Sequence, residues 1–481
     1  MKVFLGNAPW RKEGFYGVRA GSRWPHFERC GAGYMPFPFF LAYATAVLER
    51  AKVEVMLVDG IAEEFTEQEF ISRISRFQPN LIVLEASTSS IDADIDIAKR
   101  IKAVIPQSQL AFCGPHIFMY QSEFLKEHSE IDFVLQGEYE YTLLDLVNRL
   151  QNQQDLALVA GLIYRANSQI IVNPTRPVID NLDELPWPSR KMLPMTKYCD
   201  LGNVLPQPGV QMWASRGCPY QCIFCSWPQI MYDGHKYRVR NPVDVVDEME
   251  SLVKEYGFKS VYFDDDTFNI GKERMLKISA EIKKRNLCIP WAIMARADTT
   301  DIDTLKSMQD AGLIALKYGV ESGVQDLVNA CKKNLDLNKV TKTVRETKEL
   351  GIKVHLTFTF GLPGETKETI KKSVDYAISL DPDTVQFSIV TPYPGSSYFE
   401  QLDKQGYILS KNWQEYDGYN RAVIRTDNLT QQDLEEGLRY ANRMWERHRV
   451  RRTMRPEYFV SNIKKAIKNP KKAFRKIKEA M

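Results

Sequence analysis

Short apolar runs alternate with amphipathic stretches along the first 150 residues. Val3–Leu5, Val53–Val58, Leu81–Leu84, Gln109–Phe112 and Phe133–Leu135 read as buried strands. Phe37–Arg50, Glu67–Phe77, Ile91–Ala103 and Tyr141–Leu150 carry helical periodicity. Strands spaced by crossover helices predict a parallel sheet covered on both faces, with ligands at the carboxyl ends of the strands. Those ends carry Asp59-Gly60, Ser87-Thr88-Ser89, Gly114-Pro115-His116 and Gly137-Glu138.

The pattern then changes. Leu158–Tyr164 and Gln169–Val172 predict a hairpin around Asn167-Ser168, and Pro174, Pro177, Pro186, Pro188, Pro194, Pro206 and Pro208 punctuate a linker. Strand signals return at Gln211–Ala214, Ser260–Phe263, Pro290–Met294, Ile314–Tyr318, Lys353–Phe360 and Thr384–Ile389. Six such repeats suit a partial (β/α)6 barrel open on one side, because closure takes eight. From Leu429 the chain reads as helix, with Thr430 and Asp433 spaced as a cap. The fold class is therefore α/β: a Rossmann-like parallel-sheet domain over 1–155, a hairpin and proline-rich linker over 156–208, a partial barrel over 209–400, and a helical C-terminal region with a basic tail over 401–481.

Composition changes this picture only at the end of the chain. With 481 residues, 44% hydrophobic and 26% charged, the protein is ordinary globular material. The net charge of +3 is uneven: from Arg447 onward thirteen Lys and Arg face only Glu457 and Glu479. A basic tail on a mildly acidic body implies an anionic partner for the tail alone. Tyr458, Phe459, Ile463, Ile467, Phe474 and Ile477 make that tail amphipathic. It reads either as a peripheral contact with an anionic membrane surface or as a solvated helix packed on the barrel. The opening MKVFLGNAPW lacks a signal-peptide pattern, and no run of about 18 apolar residues occurs. Eight cysteines in so long a chain do not make a disulfide scaffold. A reducing cytoplasm is expected, with the inner membrane face as the tail's contact.

The chemistry is concentrated in Ser215-Arg216-Gly217-Cys218-Pro219-Tyr220-Gln221-Cys222-Ile223-Phe224-Cys225, just after the first barrel strand. Three closely spaced thiolates hold three irons of a cubane and leave the fourth open. The other reading is zinc with Cys199 as fourth ligand, although structural zinc sites usually use paired CxxC knuckles.

On this motif the chain resembles the radical S-adenosylmethionine (SAM) superfamily. It is most similar to the branch with an N-terminal cobalamin-binding domain, which includes many methyltransferases and the anaerobic magnesium-protoporphyrin ester cyclase. The resemblance implies a [4Fe–4S] cluster on Cys218, Cys222 and Cys225 whose open iron binds SAM and cleaves it reductively to a 5′-deoxyadenosyl radical. It also implies that Phe224, Asp265, Asp266, Arg296 and Glu321 bind SAM: the two aspartates at the amino group, Arg296 at the carboxylate, Glu321 at the ribose and methionine. From the residues alone, Asp266 or Thr267 could instead cap a helix, and Arg296 could be a surface residue. Gly361-Leu362-Pro363-Gly364-Glu365 and Pro392-Tyr393-Pro394-Gly395 follow the fifth and sixth strands and read as ligand contacts or as plain turns. His235 and His355 are lone proton-donor candidates or satisfied structural histidines. Cys30, Cys288 and Cys331 read as packing residues.

For cobalamin the resemblance points to Ser87, Thr88, Gly114, His116, Gly137 and Glu138. The corrinoid signature Asp-x-His-x-x-Gly is absent; Asp59-Gly60-Ile61-Ala62 stands at the matching place, with no histidine for the lower face of cobalt. A docking domain without its cofactor is the alternative. The implied function is cobalamin-dependent methylation of an unactivated carbon in a small, lipid-like or isoprenoid molecule, driven by a reductant of the flavodoxin or ferredoxin kind. Oxidative cyclisation with the same cofactors is the second reading. An RNA-modifying methylthiotransferase would need three more cysteines in the N-terminal domain, where only Cys30 and Cys113 stand, so no nucleic acid is expected. A cluster-bearing regulator without catalytic activity is the last alternative.

Overall fold

The computed structural model describes residues 1–12, 14–18, 26–29, 34–166, 169–202, 204–232, 234–416 and 421–453. The expectations for Cys30, for the Asn167-Ser168 turn and for the tail beyond Thr453 lie outside the described residues.

Five parallel strands form the first sheet, in the order Glu54–Asp59, Lys2–Asn7, Leu81–Glu85, Gln109–Cys113, Phe133–Leu135. The chain adds one strand to one side of Lys2–Asn7 and the rest to the other. The crevice between Lys2–Asn7 and Leu81–Glu85 is thus a topological switch point, where such sheets bind ligands. The hairpin does not belong to the linker. Leu162–Ala166 pairs antiparallel with Phe133–Leu135, and Gln169–Val172 forms the edge, so the sheet runs past the boundary expected at residue 155. The hairpin covers an edge that would otherwise present unpaired backbone groups.

Two features escaped the periodicity. Helix Pro115–Glu127 begins at a Gly-Pro pair that reads as a turn, but proline suits the first turn of a helix. The antiparallel ribbon Arg11–Lys12, Phe15–Val18, His26–Arg29 has too few alternating positions to stand out.

The second sheet holds six parallel strands, each beside its predecessor: Gly209–Met212, Ser260–Phe263, Trp291–Ala295, Leu313–Glu321, Lys353–Phe360 and Thr384–Ile389. The first strand stops short of Ala214, whose N–H goes to Asp265 instead. Along the fifth, Val354, Leu356, Phe358 and Phe360 bury themselves in the layer shared with the helices, so the intervening residues face the barrel interior. The open side is flanked by helix Gln431–Thr453, which packs on helix Lys367–Leu380 and the sixth strand and buries Leu434, Leu438, Ala441 and Trp445. Its start matches the expected cap: the Thr430 hydroxyl donates to Asp433 at 2.7 Å, and the Asp433 N–H donates back at 3.2 Å.

The proline-rich stretch is not a free spacer. The Ser189 N–H donates to Ala42 O at 3.0 Å, and the Tyr198 hydroxyl to Asp59 at 3.0 Å. Asp200 takes Lys317 of the fourth barrel strand on both oxygens at 2.7 Å. It therefore fixes the first sheet against the barrel. Among the described residues no helix is long and apolar enough to cross a membrane.

Candidate active site

Beyond Met212 the chain enters a two-residue ribbon, Ser215–Arg216 against Arg238–Val239. It then turns at Gly217, whose φ of +84° and 2.0 Å gap between a notional Cβ and Lys236 O exclude other residues. The cysteine loop is pinned from several sides. The Ile223 N–H donates to Cys331 O at 3.1 Å, and the Tyr398 N–H to Ile223 O at 3.1 Å. The Gln229 amide spans the carbonyls of Cys222, Ile223 and Cys225. Cys222 is buried; Cys218 and Cys225 are partly exposed. The Tyr220 N–H and the Thr267 hydroxyl, 3.6 Å away, face the Cys218 sulfur. Burial pushes the Cys218 and Cys222 thiols up, and the Lys333 ammonium works against it at both. A rigid loop of three soft donors beside a buried cation fits a cubane, where each thiolate serves a different iron. Cys199 sits elsewhere, bridged to Met35 beside Asp200 and Lys317. The zinc reading would need Cys199 to leave that bridge and join the cysteine loop.

The second to fourth strands deliver the remaining groups. Asp265 is fully buried, and its carboxylate accepts the Ala214 N–H at 3.2 Å and the Ser215 hydroxyl. Those oxygens serve the chain and shape the loop, at the position expected to reach the SAM amino group. Asp266 accepts the Gly217 N–H at 3.0 Å and stays partly exposed beside Cys218. The helix that follows starts only at Lys272, after Gly271, so neither Asp266 nor Thr267 caps it. Arg296 is 4% exposed rather than a surface residue. It forks onto Asp298 at 2.9 and 3.0 Å and lies 3.5 Å over the Tyr220 ring. Glu321 ends the fourth strand in a left-handed conformation, φ +71°, and pairs with Lys333 at 2.8 Å. Phe224 is buried in the barrel core. Lys333 was not foreseen; nothing in its local sequence marks it.

At the carboxyl ends of the first sheet, Asn7 Oδ1, Ser89 Oγ and both amide atoms of Gln136 are buried without a hydrogen-bond partner. Buried polar groups are rarely left so, and these would be met by a polar ligand over the strand ends. Asn7 and Gln136 were missed, although each is a polar residue closing an apolar strand. Ser87 bonds Ser90 at 3.0 Å, and the Thr88 hydroxyl lies 3.2 Å from His116 Nδ1. Burial lowers His116 to about 3, which keeps it neutral. At Gly114, φ is +108° and a Cβ would stand 2.2 Å from Ala86 O. Gly114→Ala is therefore expected to cost about 1–3 kcal/mol of stability and to abolish hydroxocobalamin binding while leaving iron content intact, as measured by absorbance titration and iron analysis. Gly137 adopts φ +57°, a left-handed backbone that favours glycine. Asp59 closes its own turn, accepting the Ile61 and Ala62 N–H groups at 3.1 and 3.2 Å.

Glu138, expected at the corrinoid, has its carboxylate on Arg216 at 3.0 Å, Arg238 at 2.6 Å and the Ile179 N–H at 2.9 Å, so its side chain joins the two units. Arg216 also meets Glu140 at 2.7 Å, and its guanidinium packs on the rings of Phe40, Tyr43 and Trp213. Burial opposes ionisation of Glu138, but Arg216 and Arg238 outweigh it and hold the carboxyl below its ordinary range. Glu140 has burial and the Glu138 charge against it and is pushed up.

A radical SAM superfamily model matches residues 214–377, and a B12-binding-domain model matches residues 32–147. An uncharacterised methyltransferase of Pyrococcus horikoshii is 32% identical over 404 residues, 84% of this chain and 86% of the relative. The chain belongs to the radical SAM superfamily, in its B12-binding branch. The anaerobic magnesium-protoporphyrin IX monomethyl ester cyclase of Rubrivivax gelatinosus is 29% identical over 435 residues, 85% of this chain and 74% of the cyclase. In fold, the cobalamin-dependent SAM radical enzyme OxsB, solved with aqua-cobalamin and SAM bound, superposes with a TM-score of 0.72 at 17% identity. The match covers 92% of this chain and 67% of OxsB.

The loops after the fifth and sixth strands are tied into the chain. Gly395 (φ +91°) lies so close to Met119 that a Cβ would come within 2.3 Å of its sulfur, which seats the sixth-strand exit against helix Pro115–Glu127. Glu365 folds back onto the Gly361 and Leu362 N–H groups. Burial raises Glu365 to about 8. Folding thus favours its protonated form, and stability should fall as pH rises from about 4.5 to about 8. Glu365→Gln is expected to flatten that part of an anaerobic melting-temperature profile. His355 sits near the amino end of its strand, bonded to Thr384 at 2.8 Å, beside a 470 Å³ cavity under the C-terminal helix. Burial, aided by Lys317, lowers it to about 3, so it is a neutral structural residue. His235 is partly exposed, with Nδ1 unpartnered. Cys331 is buried as expected, but Cys288 is exposed.

Proposed function

We propose that this radical SAM enzyme methylates an unactivated carbon of a small molecule with the help of cobalamin. The observation that carries the reading is the direct joining of the two sites. Arg216, two residues before Cys218, is clasped by Glu138 and Glu140, just after the strand end that carries Gln136. When bound, the cluster supplies the electron that cleaves SAM, and cobalamin supplies the transferable methyl group. The chain's own residues position these parts. Cys218, Cys222 and Cys225 would hold the cluster; Asp266 and Glu321 would take the SAM amino group and ribose, and Arg296 its carboxylate. Asn7, Ser87, Thr88, Ser89, Gly114, His116, Gln136 and Gly137 form the floor for cobalamin. The Asp59 turn, closed on itself, would offer no histidine to the cofactor.

The likeness to the magnesium-protoporphyrin cyclase supports a second reading, oxidative ring closure without methyl transfer, and a hydrophobic, lipid-like substrate for either. A low-potential donor of the flavodoxin or ferredoxin kind suits the cluster. The basic tail would add a membrane contact, which removal of residues 455–481 should eliminate in liposome binding. Anaerobic reconstitution with iron, sulfide, cobalamin and SAM decides between the readings. Methylation yields S-adenosylhomocysteine together with 5′-deoxyadenosine; 5′-deoxyadenosine without it selects cyclisation, and a reduced, cluster-loaded protein yielding neither defeats both.

A further inference from the structure

Lys333 follows the short helix Gln325–Ala330 and is 7% exposed. Its segment is bonded to the cysteine loop, because Cys331 O accepts the N–H of Ile223, between Cys222 and Cys225. It is bonded again to the third strand, where Arg296 Nη2 donates to Lys333 O at 3.1 Å. The ammonium meets Glu321 Oε1 at 2.8 Å. Two backbone features accommodate that pair. The register slips between Gly319 and Glu321, which leaves Glu321 at φ +71°. Gly319 has no side chain where a Cβ would stand 2.7 Å from Glu321 Oε1 and 3.1 Å from Lys333 Nζ. A strained residue and a bulge are more than a generic surface ion pair needs. The Lys333 charge acts on both Cys218 and Cys222, and the Glu321 charge on Cys222.

We propose that the buried Lys333–Glu321 pair sets the reduction potential of the cluster on Cys218, Cys222 and Cys225, with Lys333 raising it and Glu321 lowering it. The inference rests on those three cysteines holding the cluster. Reduction adds one electron to a site already surrounded by thiolates. In a poorly screened interior a neighbouring cation stabilises the reduced state and a neighbouring anion opposes it. Lys333 thus eases reduction before SAM arrives, and Glu321 keeps the couple strongly reducing.

The test is a redox titration of the reconstituted full-length protein without SAM, with dithionite as electron source and the reduced cluster followed by electron paramagnetic resonance. Lys333→Met is expected to shift the midpoint to a more negative value, and Glu321→Gln to a less negative one. Lys333→Arg should stay near the unsubstituted value. The double variant, which removes both charges, should return towards it. A purely structural pair would move both single variants the same way or neither, and either result overturns the inference. If Lys333→Met fails to take up iron, the sign of the Glu321→Gln shift decides alone. A normal signal with unmoved midpoints defeats this inference only, whereas absence of a reducible [4Fe–4S] signal in the unsubstituted protein defeats the cluster assignment as well.

Discussion

Replacing Cys218, Cys222 and Cys225 together by alanine is expected to reduce 5′-deoxyadenosine formation from SAM to background, with iron content falling to near zero. The loop loses only its donors. Gly217, the Gln229 amide and the Cys331–Ile223 bond hold its backbone without help from the thiols, so the barrel should remain folded. Hydroxocobalamin binding by the first sheet should survive, since its strand ends lie on other elements. Soft thiolates have no substitute among the nearby side chains, which carry carboxylates, guanidinium groups, an ammonium, the Thr267 hydroxyl and the Tyr220 phenol. Product analysis under dithionite, with iron and corrinoid assays on the same preparation, checks all three statements. Retained SAM cleavage in the triple variant would refute the site.

Arg216→Met should be the most destabilising single change at the junction of the two units, by about 3–5 kcal/mol. Arg216 is 2% exposed, answers Glu138 and Glu140, and is sandwiched among three aromatic rings. Methionine fills much of the volume but leaves Glu138 with Arg238 and takes from Glu140 its arginine partner, and burying an unpaired charge costs far more than a lost surface pair. Neutralising Glu140 in the same chain, with Glu140→Gln, should recover much of the loss, because an uncharged amide is cheaper to bury and Glu138 keeps Arg238. Anaerobic denaturant titrations of the two variants measure the difference. Equal stabilities would mean that packing on Phe40, Tyr43 and Trp213, rather than charge, carries the contribution of Arg216.

Much of this protein was legible one residue at a time. Strands such as Ser260–Phe263, Lys353–Phe360 and Thr384–Ile389 follow from local runs of apolar and β-branched side chains, and their neighbours in the barrel are also their neighbours in the chain. The CxxxCxxC spacing announces its chemistry because three ligands on one loop need no distant partner. Tertiary structure alone decided the rest. It drew the Leu162–Ala166 hairpin into the first sheet, gave the Asp265 and Glu138 carboxylates their partners within the chain, and brought Lys333 to Glu321 and the cysteine loop. The physical reason is the same in each case. A carboxylate or ammonium is defined by the charges and dipoles around it, and when burial removes water, those partners come from segments that no local pattern connects.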